Sequence, residues 1–428
     1  MKHKEFTFLL VVLLAAPLGA TQSPLPELPL IAQGEGVWRL PAGEHHARLV
    51  IDQPMTLQCE PGAVIDAGGQ GSAITIAAPG VTVEGCTVRN WGANLTDLDS
   101  AFFLRPEAQG AALRDNVLRG PGSGVWVDST PDVTIENNDI EGVEAIRSQD
   151  RGNAIHLFAA RGARVEGNRV RHARDGIYID TSNGNTLAGN VLEDVRYGIH
   201  YMYSHDNIVR DNVTRRTRTG YALMQSKRLT VTGNRSEDDQ NYGILMNFIT
   251  HSTIVGNVIT GVRQGSTGDV MIQGAEGKAL FIYNSLFNRI EDNRFEHSSL
   301  GIHLTAGSED NVIAGNAFVA NRQQVKYVAT RRQDWSADGR GNYWSDYLGW
   351  DRDADGIGDV AYEPNDGVDR LLWMYPQARL LMNSPAIELL RWVQRAFPVT
   401  RSPGVQDSRP LMHPPAAAQL AQAKENQP

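Results

Sequence analysis

The chain has 428 residues, 41% hydrophobic and 21% charged, with a formal net charge of −9. That balance is ordinary for a globular protein and leaves room for one large domain or two to three small ones. The negative charge argues against a general nucleic-acid binder, which needs a basic groove, and two cysteines exclude a disulfide framework. The N-terminus reads as a secretory signal peptide over residues 1–20. Lys2 and Lys4 precede an apolar run from Phe6 to Ala16, and Leu18-Gly19-Ala20 offers small residues at a cleavage point. The run is too short for an ordinary transmembrane helix, so the mature protein is expected outside the cytoplasm.

Residues 21–334 are dominated by a repeat. Asparagines recur at Asn116, Asn138, Asn168, Asn190, Asn212, Asn234, Asn257, Asn293 and Asn316, at successive separations of 22, 30, 22, 22, 22, 23, 36 and 23. The two long intervals read as insertions, one from Glu141 to Arg151 and one from Gly261 to Gly277. An aliphatic residue stands three positions before every asparagine, from Leu113 to Ile313, and most residues two positions after it are apolar. A second signal starts on glycine, as in Gly176-Ile-Tyr-Ile, Gly198-Ile-His-Tyr and Gly301-Ile-His-Leu. Alternation of this kind gives short strands with one face in and one out. One unit cannot bury its apolar face alone, and stacked units build a continuous core. The predicted fold is therefore all-β, a right-handed parallel β-helix. Asparagine suits its corners because it tolerates a left-handed backbone and hydrogen-bonds locally, and a stacked row can bond side chain to side chain. These asparagines are read as structural. Cys86 holds the asparagine position of an earlier unit and Cys59 ends another. A disulfide between neighbouring coils and two buried thiols are both open readings.

Residues 335–383 are rich in Trp and Asp and read as a cap over the open end of the solenoid. Within them Asp351, Asp353, Asp355 and Asp359 fall at positions 1, 3, 5 and 9 of a loop with Gly356 at position 6. That is the opening of a calcium loop, although Tyr362 stands where a glutamate is expected, and a bound Ca2+ would be structural. A helix is predicted over 384–397, with Ser384 as N-cap and Pro385 in the first turn. Its apolar face comprises Ile387, Leu390, Val393 and Phe397, widened by Leu389 and Trp392. The face suits either the protein's own flank or a docking partner. Residues 398–428, rich in Pro, Ala and Gln, are expected to be disordered.

No catalytic constellation is visible. Asp175, Asp180, Asp238 and Asp239 are available, but Asp175 and Asp180 fall where solvated acids are usual, and the chain is read as not an enzyme. Soft-metal chemistry has a better footing. His200 and Met202 occupy outward positions two and four after Gly198, Met224 holds position four of the next coil, and His205 follows closely. His156 and His303 hold position two in other coils. Thioether and imidazole together favour copper(I), here held transiently, while Met246 at position three belongs to the core.

The signal peptide, the glycine-led coils, Gly341-Asn-Tyr-Trp-Ser-Asp-Tyr, Asp353-Ala-Asp-Gly-Ile-Gly-Asp, Asp369-Arg-Leu-Leu-Trp and Arg391-Trp-Val together resemble the NosD family. The resemblance covers nearly the whole chain after the signal peptide. It implies the periplasmic component of an ABC-type transporter complex, working with separate permease and ATPase subunits. It implies copper delivery for metal-centre assembly in the nitrous oxide reductase apoprotein, with a copper-chaperone lipoprotein handing over the metal. Membrane association would run through the permease, on which the helix 384–397 would dock. No ligand set carries over from the resemblance. The rival class is a carbohydrate-binding or polysaccharide-cleaving β-helix, which predicts an aromatic groove with paired carboxylates. A third is a surface scaffold with no ligand beyond calcium.

Overall fold

The computed structural model describes residues 25, 27–264, 277–305, 307–328, 331–365, 368–369, 375, 377, 384–396 and 404–415. The signal peptide, Phe397 and most of the second insertion lie outside these residues. The described chain winds into a parallel β-solenoid of about 13 coils whose strands form three sheets of 13, 12 and 13 strands. The first sheet holds the strands that precede each asparagine, such as Ala112–Arg114. The second holds the glycine-led strands, such as Tyr197–Met202. The third holds the strands that follow each asparagine, such as Val117–Arg119.

Registration follows the sequence repeat. Leu113, Ile135, Val165, Leu187 and Val209 pair in line along the first sheet and are fully buried. Burying an aliphatic side chain of this size contributes about 1.5–3 kcal/mol, repeated at every coil. Met246 is fully buried, as its position in the alternation requires.

The asparagines form one continuous ladder inside a corner. Each backbone N–H from Asn116 to Asn316 donates to the side-chain oxygen of the next rung, at 2.9–3.0 Å. The side-chain amides also donate to backbone carbonyls one coil back, as Asn190 Nδ2 does to Val165. The left-handed backbone expected at these residues is displaced by one position. It falls on the residue before, such as Asp115, Asn137, Gly167 and Asp211. The asparagine itself turns inward, where its side chain closes the ladder. Cys86 donates its N–H to Asn116 Oδ1, so it is a rung as well, and it is joined by a disulfide to Cys59 in the neighbouring coil.

Two boundaries differ from the sequence reading. The stack does not end at residue 334. Asn342 is a further rung, and Tyr343–Trp344 adds a strand to the third sheet beside Ala317–Val319. Residues 404–415, assigned to a disordered tail, are folded against the stack's end. Val405–Gln406 pairs with Gln333–Asp334, and the buried Asp407 carboxylate accepts from the N–H of Asn342 at 2.7 Å and from Trp344 Nε1 at 2.8 Å. A composition rich in Pro and Ala conceals this clasp because its contacts reach residues about 45 to 70 positions away. Trp335 and Trp344 are buried at this end of the stack, and Phe295, Phe318, Trp344 and Tyr362 stack in sequence at 5.3, 4.4 and 4.7 Å between ring centroids.

Candidate functional site

The outward face of the second sheet gathers the chemistry-bearing side chains. Position two after each glycine stacks Trp126, His156, Tyr178 and His200 in consecutive strands. Their ring centroids are 3.9, 4.6 and 4.4 Å apart. Position four stacks Phe158, Asp180, Met202 and Met224. Met202 and Met224 are therefore strand neighbours, as the spacing predicts, and both are partly exposed.

His200 is not the solvated outward histidine that its position suggests. It is 9% exposed, stacked on Tyr178 and met edge-on by Tyr197. Its Nδ1–H donates to Asp175 at 3.0 Å. Asp175, read as a solvated acid at a corner, is fully buried and also accepts from Arg196 Nε at 2.8 Å and Nη2 at 2.7 Å. Burial pushes its carboxyl up, but the bonds from His200 and Arg196 prevail and hold it below the usual carboxylate range. An ionised Asp175 fixes the imidazole with its proton on Nδ1 and leaves Nε2 as the nitrogen with a lone pair. Ligating histidines are oriented in this way in metal sites. The signal missed in the sequence is the Asp175/Arg196 pair, one coil apart.

His205 separates from the other candidate copper residues. It lies beyond the corner, past Tyr203, and lines a cavity of about 300 Å³ with Tyr203, Gln225, Lys227, Phe248 and Thr250. Its Nδ1 is buried without a hydrogen bond, and burial followed by Lys227 lowers its pKa. His156 and His303 are buried more deeply, which lowers their pKa values to about 3 and about 2. The face thus collects His200, Met202 and Met224, with His205 round the edge.

Of the four acids in the predicted calcium loop, three converge. Oxygens of Asp351, Asp353 and Asp355 lie within 4.8 Å of one another. Asp359 accepts instead from the Arg352 N–H at 2.8 Å and is not part of that group. Asp351 accepts from the N–H groups of Asp355 and Gly356, closing the loop on itself.

The helix spans Pro385–Ala396, and Ser384 caps it through Oγ, which accepts from the Ile387 N–H at 3.4 Å. Among the described residues of the predicted apolar face, only Ile387 packs inward, against Val368. Leu389, Leu390, Trp392 and Val393 are 61, 41, 60 and 39% exposed. Among the described residues no helix is long and apolar enough to cross a membrane.

Comparison with known proteins adds a family. A family model described as "Periplasmic copper-binding protein (NosD)" matches residues 137–349. A protein of Pseudomonas aeruginosa named "Probable ABC transporter binding protein NosD" is 71% identical over 409 residues, covering 96% of each chain. One of the same name from Stutzerimonas stutzeri is 68% identical over 425 residues, covering 99% of this chain and 97% of that one. Among solved structures, the DFA-IIIase of Arthrobacter chlorophenolicus A6 without its lid, in complex with GF2, aligns with a TM-score of 0.52. It covers 69% of this chain and 88% of its own length at 14% identity, a likeness of fold alone.

Proposed function

The chain belongs to the NosD family, and from that membership we propose that it is the periplasmic component of an ABC-type transporter complex that supports copper delivery to nitrous oxide reductase. The observation that carries this reading is the near full-length identity to two proteins named as ABC transporter binding proteins, within a family described as periplasmic and copper-binding. Copper is cargo here, and no catalytic role is assigned to the chain. The residues that suit copper(I) are His200, Met202 and Met224. Two thioethers side by side and an imidazole fixed by a buried carboxylate form a soft donor set. His205, with an unpaired nitrogen at the neighbouring cavity, would serve as a second station on the way on or off. The ABC permease would be met by the exposed apolar face of the helix, the ATPase would act through the permease, and a copper-chaperone lipoprotein and the reductase apoprotein would be donor and acceptor.

The test is copper(I) binding to the mature protein under anaerobic conditions, beside a Met202→Ala/Met224→Ala double variant. Tight binding that is lost in the double variant is expected. Equal binding by both proteins, or by neither, removes the metal from this face.

A further inference from the structure

Arg196 and Arg174 occupy the same place in successive coils, since Arg174 N–H donates to the Gly152 carbonyl at 2.8 Å and Arg196 N–H to the Arg174 carbonyl at 2.7 Å. Arg196 reaches back one coil to Asp175 and binds its carboxylate through two nitrogens. One coil earlier the place of Asp175 is taken by Asn153, as the pairing of Ile155 with Ile177 fixes. Arg174 therefore meets no carboxylate at that place. Among the described residues it makes no side-chain hydrogen bond or ion pair, and its Nε is buried without a partner.

The neighbourhood is short of acceptors. Trp126, whose ring lies 3.9 Å from that of His156, has a buried and unpaired Nε1. Asn153 Nδ2 lies 3.3 Å from His156 Nδ1, which places the His156 proton on Nε2, and that atom is buried and unpaired too. Asn153 Oδ1 is the one unused acceptor. Most buried polar atoms in proteins find partners, so unmet donors gathered at His156 beside an unpaired arginine mark a place for an absent group. The charge of Arg174 is felt at His156, whose protonation it opposes after burial. Arg151, nearby in sequence, is committed to the carbonyls of Ile146 and Glu144, which leaves one cation on offer and suits a monoanion.

We infer that the outer face of the second sheet carries a carboxylate-binding subsite at Arg174, flanked by Trp126, Asn153 and His156, in which a ligand carboxylate takes the place that Asp175 fills for Arg196. The planar fork of arginine matches a carboxylate in two-nitrogen contact, as Arg196 demonstrates one coil away. This site is independent of copper and uses none of the proposed copper residues.

The experiment measures the thermal unfolding midpoint of the mature protein against sodium acetate, with sodium chloride holding ionic strength constant. Asn153→Asp and Arg174→Gln are compared with the unaltered chain. A saturable rise with acetate is expected for the unaltered protein. Asn153→Asp supplies the missing carboxylate internally, so its midpoint is higher in chloride alone and its acetate affinity is weaker by at least about tenfold. Arg174→Gln loses the response without that gain, and it decides the matter if Asn153→Asp does not fold. Repeating the titration with N-acetylglutamate amide separates the sources. Tighter binding than acetate assigns the site to a glutamate side chain of a partner protein, and equal binding assigns it to free small acids. Acetate acting no differently from chloride, or equally on all three proteins, overturns the inference.

Discussion

At the scale of single residues, three buried carboxylates are accommodated in three ways. Asp175 is ionised by an arginine and a histidine, and Asp407 accepts from the groups it closes over. Asp239 lies wholly inside the solenoid and accepts from Ser236 Oγ, Thr214 Oγ1, Thr217 Oγ1 and the Thr217 N–H, at 2.6, 2.9, 2.8 and 2.7 Å. Burial outweighs these donors and lifts its pKa to about 6 from 3.8. The folded state then binds this proton more readily than the unfolded one, so the contribution of Asp239 is fully present below pH 4 and is lost as pH rises to 6. The difference amounts to roughly 3 kcal/mol. His156 and His303 act oppositely: their lowered values withdraw stability as pH falls below 6.5. Comparison with Asp239→Asn isolates the aspartate. Between pH 4 and 6 the stability of the unaltered protein relative to the variant should decrease with rising pH in urea unfolding, and parallel curves would contradict the assignment. The sequence held a clue to this cluster. Thr214 and Ser236 are the two polar residues in an otherwise apolar series at that position, and both turn inward to serve Asp239.

At the scale of elements, the coils were legible because a single unit repeats, and each repetition tests the same alternation. The aliphatic row, the glycine-led strands, the pairing of Met202 with Met224 and the cap at Ser384 all follow from local pattern. His205 could not be placed this way. One left-handed residue, Tyr203, swings the chain through the corner, so three positions beyond Met202 the side chain belongs to a different face. Asp175 was misread for a related reason: its exposure is decided by Arg196, which arrives from the next coil. The helix shows the limit of an amphipathic pattern, since a wide apolar face was evident and the side left uncovered was not. The variant Leu389→Glu/Leu390→Glu should fold normally, because both residues are exposed, yet lose co-purification with the ABC permease. Retained association would place the permease contact elsewhere. Deleting everything from Ser384 onward would be a poorer test, because it also removes Asp407 from the ladder.

At the scale of the whole molecule, the asparagine ladder is closed at both ends. The Cys59–Cys86 disulfide stands at one end and Asp407 at the other. Replacing Asp407 with Ala leaves the Asn342 N–H and the Trp344 indole N–H buried without an acceptor. A loss of about 3 kcal/mol is expected in chemical unfolding, together with faster proteolysis beyond residue 342. A loss below about 1 kcal/mol would mean that the clasp closes without this carboxylate. The cysteine pairing was undecidable from spacing alone because the register of the first coils rests on few repeats.

That clasp also gives the molecule a mechanical character. Asn365, whose amide donates to the Val325 carbonyl, and Val405, paired with Gln333, both attach to the end of the column, and the helix Pro385–Ala396 lies between them in the sequence. The helix is thus bracketed in the sequence by two rivets at the end of a rod. The ladder and sheet hydrogen bonds run along the rod's axis, so a push or tilt applied at these rivets is passed lengthwise with little give. The methionine pair lies about 20 Å up that axis at the strand spacing. A displacement applied at those rivets would swing the pair as the tip of a stiff lever.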